Sequence, residues 1–284
     1  MSQPIKGRIV RNTTKENQRT LSQAGSISIG EKVATKSGKE RPAAIDYFKC
    51  NSSNKAYEDM FYAAYGDKPT TIKIIFMSND INETCPNVLE LRDVQGSYVG
   101  SGDGQNFEVV TKPDAYGKVS IEKWTLEMIN QHPAFGSPEI FMQKVAAKYG
   151  TEWREVLRLR FLILGLNVLG YWQLVTFAKE SSIPQITATI DAVMQMAGRI
   201  TSIPFDLSVK MVKSDKSGAK SKYPVMSLIC NLGQESLELV QKMNPTNLIL
   251  TAENLQHQKS LQLEASKDKS SSANQDFTHC EEVK

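Results

Sequence analysis

The sequence has few of the residues that usually build metal sites and nucleophilic active sites. Its 284 residues include four cysteines and three histidines, and these are widely spaced: Cys50, Cys85, Cys230, Cys280, His132, His257 and His279. They form neither a C-x-x-C pair nor a zinc-ligand spacing. The chain also lacks a G-x-S-x-G motif and a Gly-rich loop followed by a Walker lysine. We therefore predict a non-enzymatic protein with buried or unreactive thiols, no metal and no cofactor.

Long hydrophobic runs are also missing. The most apolar stretch, residues 156–175, is interrupted by six residues that a membrane-spanning helix tolerates poorly: Arg158, Arg160, Gly165, Asn167, Gly170 and Gln173. Residues 1–10 contain no apolar segment of the kind that a secretory signal needs. These features predict a soluble, cytoplasmic protein that does not contact a membrane.

Charge is present and unevenly distributed. The whole chain carries 34 basic and 31 acidic side chains, for a net charge of +3. Residues 1–50 hold ten Lys and Arg against four Asp and Glu, so this segment is +6 and the other 234 residues sum to −3. A nearly neutral chain therefore contains a basic N-terminal segment, which favours an anionic partner.

The pattern of apolar and turn-forming residues predicts an α+β fold with a largely antiparallel sheet. Its clearest part is a hairpin, a helix and a second hairpin, with strands at 158–164 and 170–177, a helix at 185–197, and strands at 203–212 and 223–230. We divide the chain into a basic segment (1–50), an α+β region with a turn-rich insertion (51–150), the hairpin–helix–hairpin unit (151–245) and a helical to disordered polar tail (246–284).

Further elements follow from N-cap residues and from alternation. Asn54, Ser120 and Ser137 are each expected to cap a helix, at 54–64, 120–130 and 137–149. Shorter strands are expected at 26–29, 70–76, 89–93 and 107–110, and residues 31–42 are expected to form an exposed lysine-rich loop.

The basic residues suited to contact a partner fall into three clusters: Lys6, Arg8, Arg11, Lys15 and Arg19; Lys32, Lys36, Lys39 and Arg41; and Lys210, Lys213, Lys216, Lys220 and Lys222. Within the first cluster, Arg8 and Arg11 are the expected contacts. Such clusters neutralise phosphates and give salt-dependent binding. Tyr47, Phe48 and Tyr223 lie near them in the sequence and can stack on bases. The same lysines also suit an acidic protein surface, or serve only to solubilise exposed loops.

An acidic segment offers an alternative chemistry. Carboxylates crowd the turn-rich region at Asp80, Glu83, Glu90, Asp93 and Asp103. A metal-dependent hydrolase needs carboxylates that converge on ions about 4 Å apart, and no H-x-D or D-x-D element is present, so we favour a solvated acidic loop. The adjacent GSGDG run at 100–104 is interpreted as a flexible hairpin turn, because a strand-like segment follows it where a phosphate-binding loop needs a helix.

Five stretches of the sequence point to a family. They are GEKVATKSGKERPAAIDYF (30–48), LRLRFLILGLNVLGYWQL (157–174), the pair SIPQI (182–186) and GRITSIPFDL (198–207), and YPVMSL (223–228). The first is similar to the pattern G-[DE]-K-x3-K-x-G-K-x-[RY]-P-x2-[IL]-D-x-F, and the others resemble a strand–Gly–Trp hairpin, a helix with its following strand, and a terminal strand. In this order, over about residues 5–230, they resemble the phage recombination directionality factors that work with large serine integrases.

The resemblance implies a protein of the host bacterial cytoplasm that binds a serine integrase on attachment-site DNA and favours excision of the viral genome. It implies that the lysine-rich segments 32–41 and 210–222 contact the integrase or the DNA. Many relatives carry a cysteine-rich, zinc-like insertion in the region matching 85–104, where this chain keeps only Cys85, so no metal is implied. The alternatives are a phage DNA-binding or annealing accessory protein and, less favoured, a metal-dependent hydrolase.

Overall fold

The computed structural model describes residues 21–34, 38, 40–111, 119–213 and 222–242. Eleven strands lie in these ranges: β1 (Gln23–Ala34), β2 (Glu40–Asn51), β3 (Thr71–Ile75), β4 (Asn87–Arg92), β5 (Tyr98–Gly102), β6 (Phe107–Val110), β7 (Ile121–Trp124), β8 (Arg154–Ile163), β9 (Tyr171–Thr176), β10 (Pro204–Lys213) and β11 (Lys222–Cys230). Six helices accompany them: α1 (Lys55–Tyr65), α2 (Ile81–Thr84), α3 (Leu126–Gln131), α4 (Pro138–Tyr149), α5 (Ser182–Ala197) and α6 (Gln234–Lys242).

All eleven strands join one sheet, which confirms the α+β, largely antiparallel prediction. Its main path is β11-β10-β3-β8-β4-β5-β6-β7, and a branch runs from β8 through β9 and β1 to β2. Every named pair is antiparallel except β1–β9, which is parallel. The predicted hairpins β8–β9 and β10–β11 both form, and β3 lies between them. Among the helices in the described ranges, none combines the length and apolar composition needed to cross a bilayer.

Strand β8 is the branch point because its ten residues are enough to pair with different strands along its length. Leu157, Leu159 and Phe161 are fully buried on one face, whereas Arg158 and Arg160 alternate with them and point to the other. The strand pairs with β9 along its middle, with β4 at its start and with β3 at its end. A long two-sided strand therefore holds three neighbours in one sheet.

The sheet carries two separate hydrophobic cores. The larger, which we call the main body, is formed by β1–β3, β8–β11, α1, α2, α5 and α6, with Trp172 and Phe161 at its centre. The smaller, which we call the satellite, is formed by β4–β7, α3 and α4 around Phe107 and Phe141. Because β4 pairs directly with β8, the satellite extends the same sheet.

Two hairpins extend beyond the main body. The β1–β2 arm consists of residues 30–34 and 40–44, and the β10–β11 arm of residues 210–213 and 222–224; none of the side chains described in either arm is buried. The β1–β2 arm begins at an irregularity in the pairing, because Ser28 pairs with Lys49 but Gly30 pairs with Ala44. Four β2 residues (45–48) therefore lie opposite Ile29 alone, and the arm is set off from the body by this bulge.

Local signals predicted the helix ends well. The Asn54 side chain accepts a hydrogen bond from the Ala56 N–H at the start of α1, and Ser137 accepts one from the Ile140 N–H at the start of α4. Gly198 ends α5 in the left-handed conformation. Helix α5 begins three residues before the predicted start, at Ser182, whose hydroxyl accepts a hydrogen bond from the Met226 N–H of β11 (2.9 Å).

Two local predictions are wrong. The expected helix at 120–130 is strand β7 followed by α3, whose cap is Thr125 rather than Ser120, because residues 121–124 pair with β6. The expected loop at 31–42 is largely strand, since β1 continues to Ala34 and β2 begins at Glu40. These errors share one cause: pairing with a neighbouring strand overrides a local preference.

The glycine run at 100–104 is the predicted hairpin turn only in its second half. Asp103 and Gly104 lie in the turn between β5 and β6, where the Asp103 N–H donates to the Asn106 carbonyl oxygen (3.1 Å), whereas residues 100–102 belong to strand β5. A Cβ at Gly100 would lie 2.6 Å from the Glu108 carbonyl oxygen, and one at Gly102 would lie 2.3 Å from Cδ1 of Phe107. Glycine is therefore needed for close packing between β5 and β6. The predicted helical to disordered polar tail (246–284) lies outside the described residues.

Candidate partner interface

The β1–β2 arm carries the second of the predicted basic clusters. Arg41 is exposed and pairs across the hairpin with Val33, and Lys32 pairs with Pro42. Only the backbone of Lys32 is described, and Lys36 and Lys39 lie outside the described residues. The arm therefore presents at least one guanidinium to solvent on a two-stranded support.

The β10–β11 arm carries the third cluster, and its lysines face both sides of the hairpin. Lys213 stands directly opposite Lys222, and both are exposed. Lys210 is also exposed, on the face that bears the neighbouring pair Val212 and Tyr223, each 39% exposed. Among the described residues, no acidic side chain forms an ion pair with these three lysines. Lys216 and Lys220 of the connecting segment lie outside the described residues, as do Arg8 and Arg11 of the first cluster.

The opposition of two ammonium groups is unfavourable in isolation. Side chains directly opposite on antiparallel strands lie about 5 Å apart at Cβ, and like charges there destabilise the hairpin by about 0.2–1 kcal/mol. Asp206, the acidic residue of β10, lies at the other end of the strand and accepts a hydrogen bond from the Asn231 amide (2.5 Å). An anionic group bound between Lys213 and Lys222 would relieve their repulsion.

The two arms rest on the same part of the main body. The Phe48 N–H of β2 donates to the Pro69 carbonyl oxygen (2.8 Å), and the Val209 N–H of β10 donates to the next carbonyl, that of Thr70 (2.9 Å). Strand β2 also contacts β10 and β11. Residues 69–70 therefore connect the bases of both hairpins.

The aromatic residues near the arms play different parts from those expected. Phe48 is fully buried in the main core, so the prediction that it can stack on bases is wrong. It lies at the end of the β2 bulge, and its side chain points into the core. Tyr47 is half-buried beneath Lys68, whose Nζ lies 5.4 Å from the ring centroid. Tyr223 is the exposed ring, and it lies on the β10–β11 arm.

The acidic segment is used to fix turns. The Asp80 carboxylate accepts from the Asn82 N–H (2.9 Å) at the start of α2, and Asp93 accepts from the Ser97 N–H (2.8 Å). Asp103 accepts from the N–H groups of Asn106 and Gln105, and these bonds lower its pKa. Across the described ranges, no three His, Cys, Asp or Glu side chains converge in an arrangement that could hold a metal ion.

Glu90 is the exception in this segment because it is buried. Only 5% exposed, it accepts hydrogen bonds from Arg92 Nη2 (2.5 Å) and from Arg158 Nη2 of the central strand. One carboxylate thus serves two guanidinium groups at the junction of satellite and main body. Sequence reasoning missed this cluster, since Glu90 and Arg158 are 68 residues apart and the only sign was alternation of arginine with leucine in β8.

Within the described residues, three cysteines and one histidine are held by packing. Cys50 and Cys85 are buried in the main core, and burial raises the pKa of each thiol to about 12. Burial also raises the pKa of the partly buried Cys230. His132 ends α3, where its Nδ1 accepts from the Ala134 N–H (3.1 Å) and its ring stacks on Phe135 at 4.4 Å.

One family model matches the chain over residues 24–231, and its description is "Gp3-like: Recombination directionality factor-like". The match covers more than half of the chain and includes the satellite, both arms and the main body apart from α6. No curated protein and no solved structure matches significantly.

Proposed function

Because the chain belongs to the Gp3-like family of recombination directionality factor-like proteins, we propose that it is a non-enzymatic factor that binds a large serine integrase on attachment-site DNA and favours excision. The observation that carries the proposal is the pair of basic hairpin arms, both within the residues that the family model matches. In this proposal the contacts are made by Lys32, Lys36, Lys39, Arg41, Lys210, Lys213, Lys216, Lys220 and Lys222, with Arg8 and Arg11 as additional contacts.

Such a factor acts by differential binding. It stabilises the integrase arrangement that joins the excision substrates more than the arrangement that joins the integration substrates. Moving an equilibrium from 1:99 to 99:1 requires a difference of about 5.5 kcal/mol in binding free energy. Several charge-assisted contacts from two arms can supply a difference of that size, at roughly 1.5–3 kcal/mol each.

The support for a docking role lies in how the arms are built. Each is a two-stranded ribbon whose described side chains are all at least partly exposed, and the β10–β11 arm carries an opposed lysine pair that an anionic partner would stabilise. A ribbon places its charges on a defined backbone, so less conformational entropy is lost on binding than from an unstructured loop.

The direct test is a recombination assay between attL and attR with the cognate integrase. We expect the protein to increase excision and to inhibit integration, and we expect the double variant K213E/K222E to lose at least about tenfold of this effect. The matched control is K148E/K179E, which makes the same change in net charge at exposed positions outside the arms. Unchanged excision and integration on adding the wild-type protein would overturn the proposal.

A second candidate function is direct DNA binding as a phage accessory or annealing protein. The observation that favours it is the Lys213–Lys222 opposition, which suits a phosphate as well as a carboxylate. It predicts a gel shift in the absence of integrase that weakens steeply between about 50 and about 200 mM salt. If the protein associates with DNA only when integrase is added, the result favours the directionality-factor function over direct DNA binding.

A further inference from the structure

The branch of the sheet formed by β8, β9, β1 and β2 has one open face. Its inner face is core, with Leu159, Trp172, Ile27 and Cys50 all 3% exposed or less. Side chains alternate along strands, so the residues between these core positions point outward. The outward residues are mostly polar, and none of these polar residues is fully buried: Arg158, Arg160, Gln173, Ser26, Ser28, Lys49 and Asn51. Val175, which pairs with Arg158, is an apolar residue on the same side and is 38% exposed.

Strand register aligns four of these residues into one row. Arg160 pairs with Gln173, Gln173 pairs with Ser26 across the parallel β9–β1 contact, and Ser26 pairs with Asn51. Neighbouring strands are about 4.8 Å apart, so the row spans about 14 Å. A guanidinium, two amides and a hydroxyl therefore form a line of hydrogen-bonding groups across the face.

The row has a basic end at the central strand. The Arg160 guanidinium lies over the Tyr171 ring at 5.9 Å and donates one N–H to the Glu83 carbonyl oxygen (3.3 Å). Its Nε is buried and has no hydrogen-bond partner among the described residues. Arg158 beside it shares the single carboxylate of Glu90 with Arg92. The cluster of these three arginines and one glutamate therefore keeps a net positive charge.

The other end of the row opens into a shallow depression of about 570 Å³. Its lining is mostly uncharged and polar, and includes Ser26 and Asn51. Glu58 also lines it, but this carboxylate is paired with Lys55 (3.2 Å) and accepts from the Ser52 N–H (2.9 Å). Lys49 stands next to Asn51 on the same outward side of β2.

We propose that this open face binds the phosphodiester backbone of DNA, at a site separate from both hairpin arms. The planar guanidinium and the ammonium provide charge, the amides and hydroxyl provide donors at strand spacing, and the Tyr171 ring gives a base-sized aromatic surface at one end. The site deepens the proposed function by adding a DNA contact within the factor itself, yet it requires no integrase.

The test is fluorescence anisotropy of the full chain with a short labelled oligonucleotide of arbitrary sequence, as single strand and as duplex. Gln173 is partly exposed and lies directly opposite Arg160. We expect Q173E to weaken binding about tenfold and to lower the salt slope by about one, and Q173K to strengthen binding by a similar factor. Tighter binding of the single strand or of the duplex supports the proposal, and it shows which of the two forms of DNA the face binds.

The controls are Q195E and Q195K, which make the same charge changes at an exposed position of α5, a helix that packs on the core side of the sheet. The proposal is overturned if Gln173 and Gln195 variants bind both oligonucleotides alike, or if the wild type binds neither at about 50 mM salt. Neither result bears on integrase binding through the arms, because the measurement contains no integrase; the recombination assay decides that separately.

Discussion

The hairpins at the two ends of the sheet, β6–β7 and β10–β11, place charge across their strands in opposite ways. In the satellite, Glu108 stands opposite Lys123, with Oε1 and Nζ 3.3 Å apart. In the arm, Lys213 stands opposite Lys222. A cross-strand pair of opposite charge stabilises a hairpin, and one of like charge destabilises it. The β6–β7 hairpin is thus stabilised by its cross-strand ion pair, whereas the β10–β11 hairpin carries a like-charge pair whose repulsion, in our proposal, an anionic partner relieves.

The same contrast extends to the regions behind the hairpins. In the satellite, carboxylates such as Asp93 and Asp103 are occupied by backbone N–H groups of their own turns. In the main body, the arms and the open face leave cations directed at solvent. The four predictions below test this difference, from the largest expected effect to the smallest.

Phe141→Ala is expected to have the largest effect, since it empties the centre of the small satellite core. Phe141 is fully buried and packs against Phe135, Phe107 and Trp124 at centroid distances of 5.0, 5.1 and 5.4 Å. The loss is about 3–5 kcal/mol of unfolding free energy. In a W172F background, tryptophan fluorescence reports the satellite, and its urea midpoint should fall.

The accessibility of the buried thiols reports unfolding of the main body, as tryptophan fluorescence does for the satellite. Cys50 and Cys85 lie in the main core, so their reaction with a thiol reagent should stay slow in Phe141→Ala until higher urea. Phe141→Leu is the control for volume. If the thiols and the fluorescence change together at the same lowered urea concentration, the two cores unfold as one unit and the distinction between them fails.

Gly25→Val should damage the main body instead. A Cβ at Gly25 would lie 2.5 Å from Cζ3 of Trp172 and 2.7 Å from the Asn51 carbonyl oxygen, so both the buried ring and the β2 backbone must move. We expect a loss of about 3 kcal/mol in urea unfolding. Gly30→Ala is the control, because its Cβ meets nothing closer than 3.6 Å. Equal stability of the two variants would contradict the packing described.

Glu90→Gln tests the junction between the two regions. The change leaves the half-buried Arg158 without its carboxylate, and because Arg92 is 52% exposed the cost is reduced to about 1–2 kcal/mol. Glu108→Gln removes an exposed pair and should cost less than about 0.5 kcal/mol. Chemical unfolding of both variants measures the difference, and a larger loss from Glu108→Gln would reverse our interpretation.

Reversing one charge in each hairpin should give small effects of opposite sign. Lys213→Glu creates an opposite-charge pair with Lys222 and should raise the unfolding free energy by about 0.5 kcal/mol, whereas Lys123→Glu creates a like-charge pair with Glu108 and should lower it by a similar amount. Both shifts should shrink in high salt. Thermal unfolding at low and high ionic strength makes the comparison; effects of the same sign would refute it.

The sequence was informative where the structure of a segment depends on hydrogen bonds within that segment. Asn54, Ser137 and Gly198 fix helix ends through bonds to nearby backbone groups, so their roles are visible locally. Strands β5 and β7 were missed because each has only four or five residues and is held by its neighbours. A glycine that permits close packing looks the same in sequence as one that permits a turn.

The sequence indicated which residue types make up the candidate site, but it did not indicate how the strands align them. Clusters of lysine are visible in the sequence, but the pairing of Lys213 with Lys222 depends on hairpin register. The row from Arg160 to Asn51 depends on a parallel contact between β1 and β9, strands almost 150 residues apart. Such alignment is set by the packing of the whole sheet, and no local pattern encodes it.

The bulge at the base of the β1–β2 arm has a consequence for how this protein can vary. Because four β2 residues lie opposite Ile29 alone, the register of the arm is not coupled to the register of the strands that line the core. Residues can be inserted, deleted or exchanged beyond Gly30 and Ala44 without turning a core side chain outward. The arm is thus a natural grafting point, where tips from related proteins can be exchanged on an unchanged body.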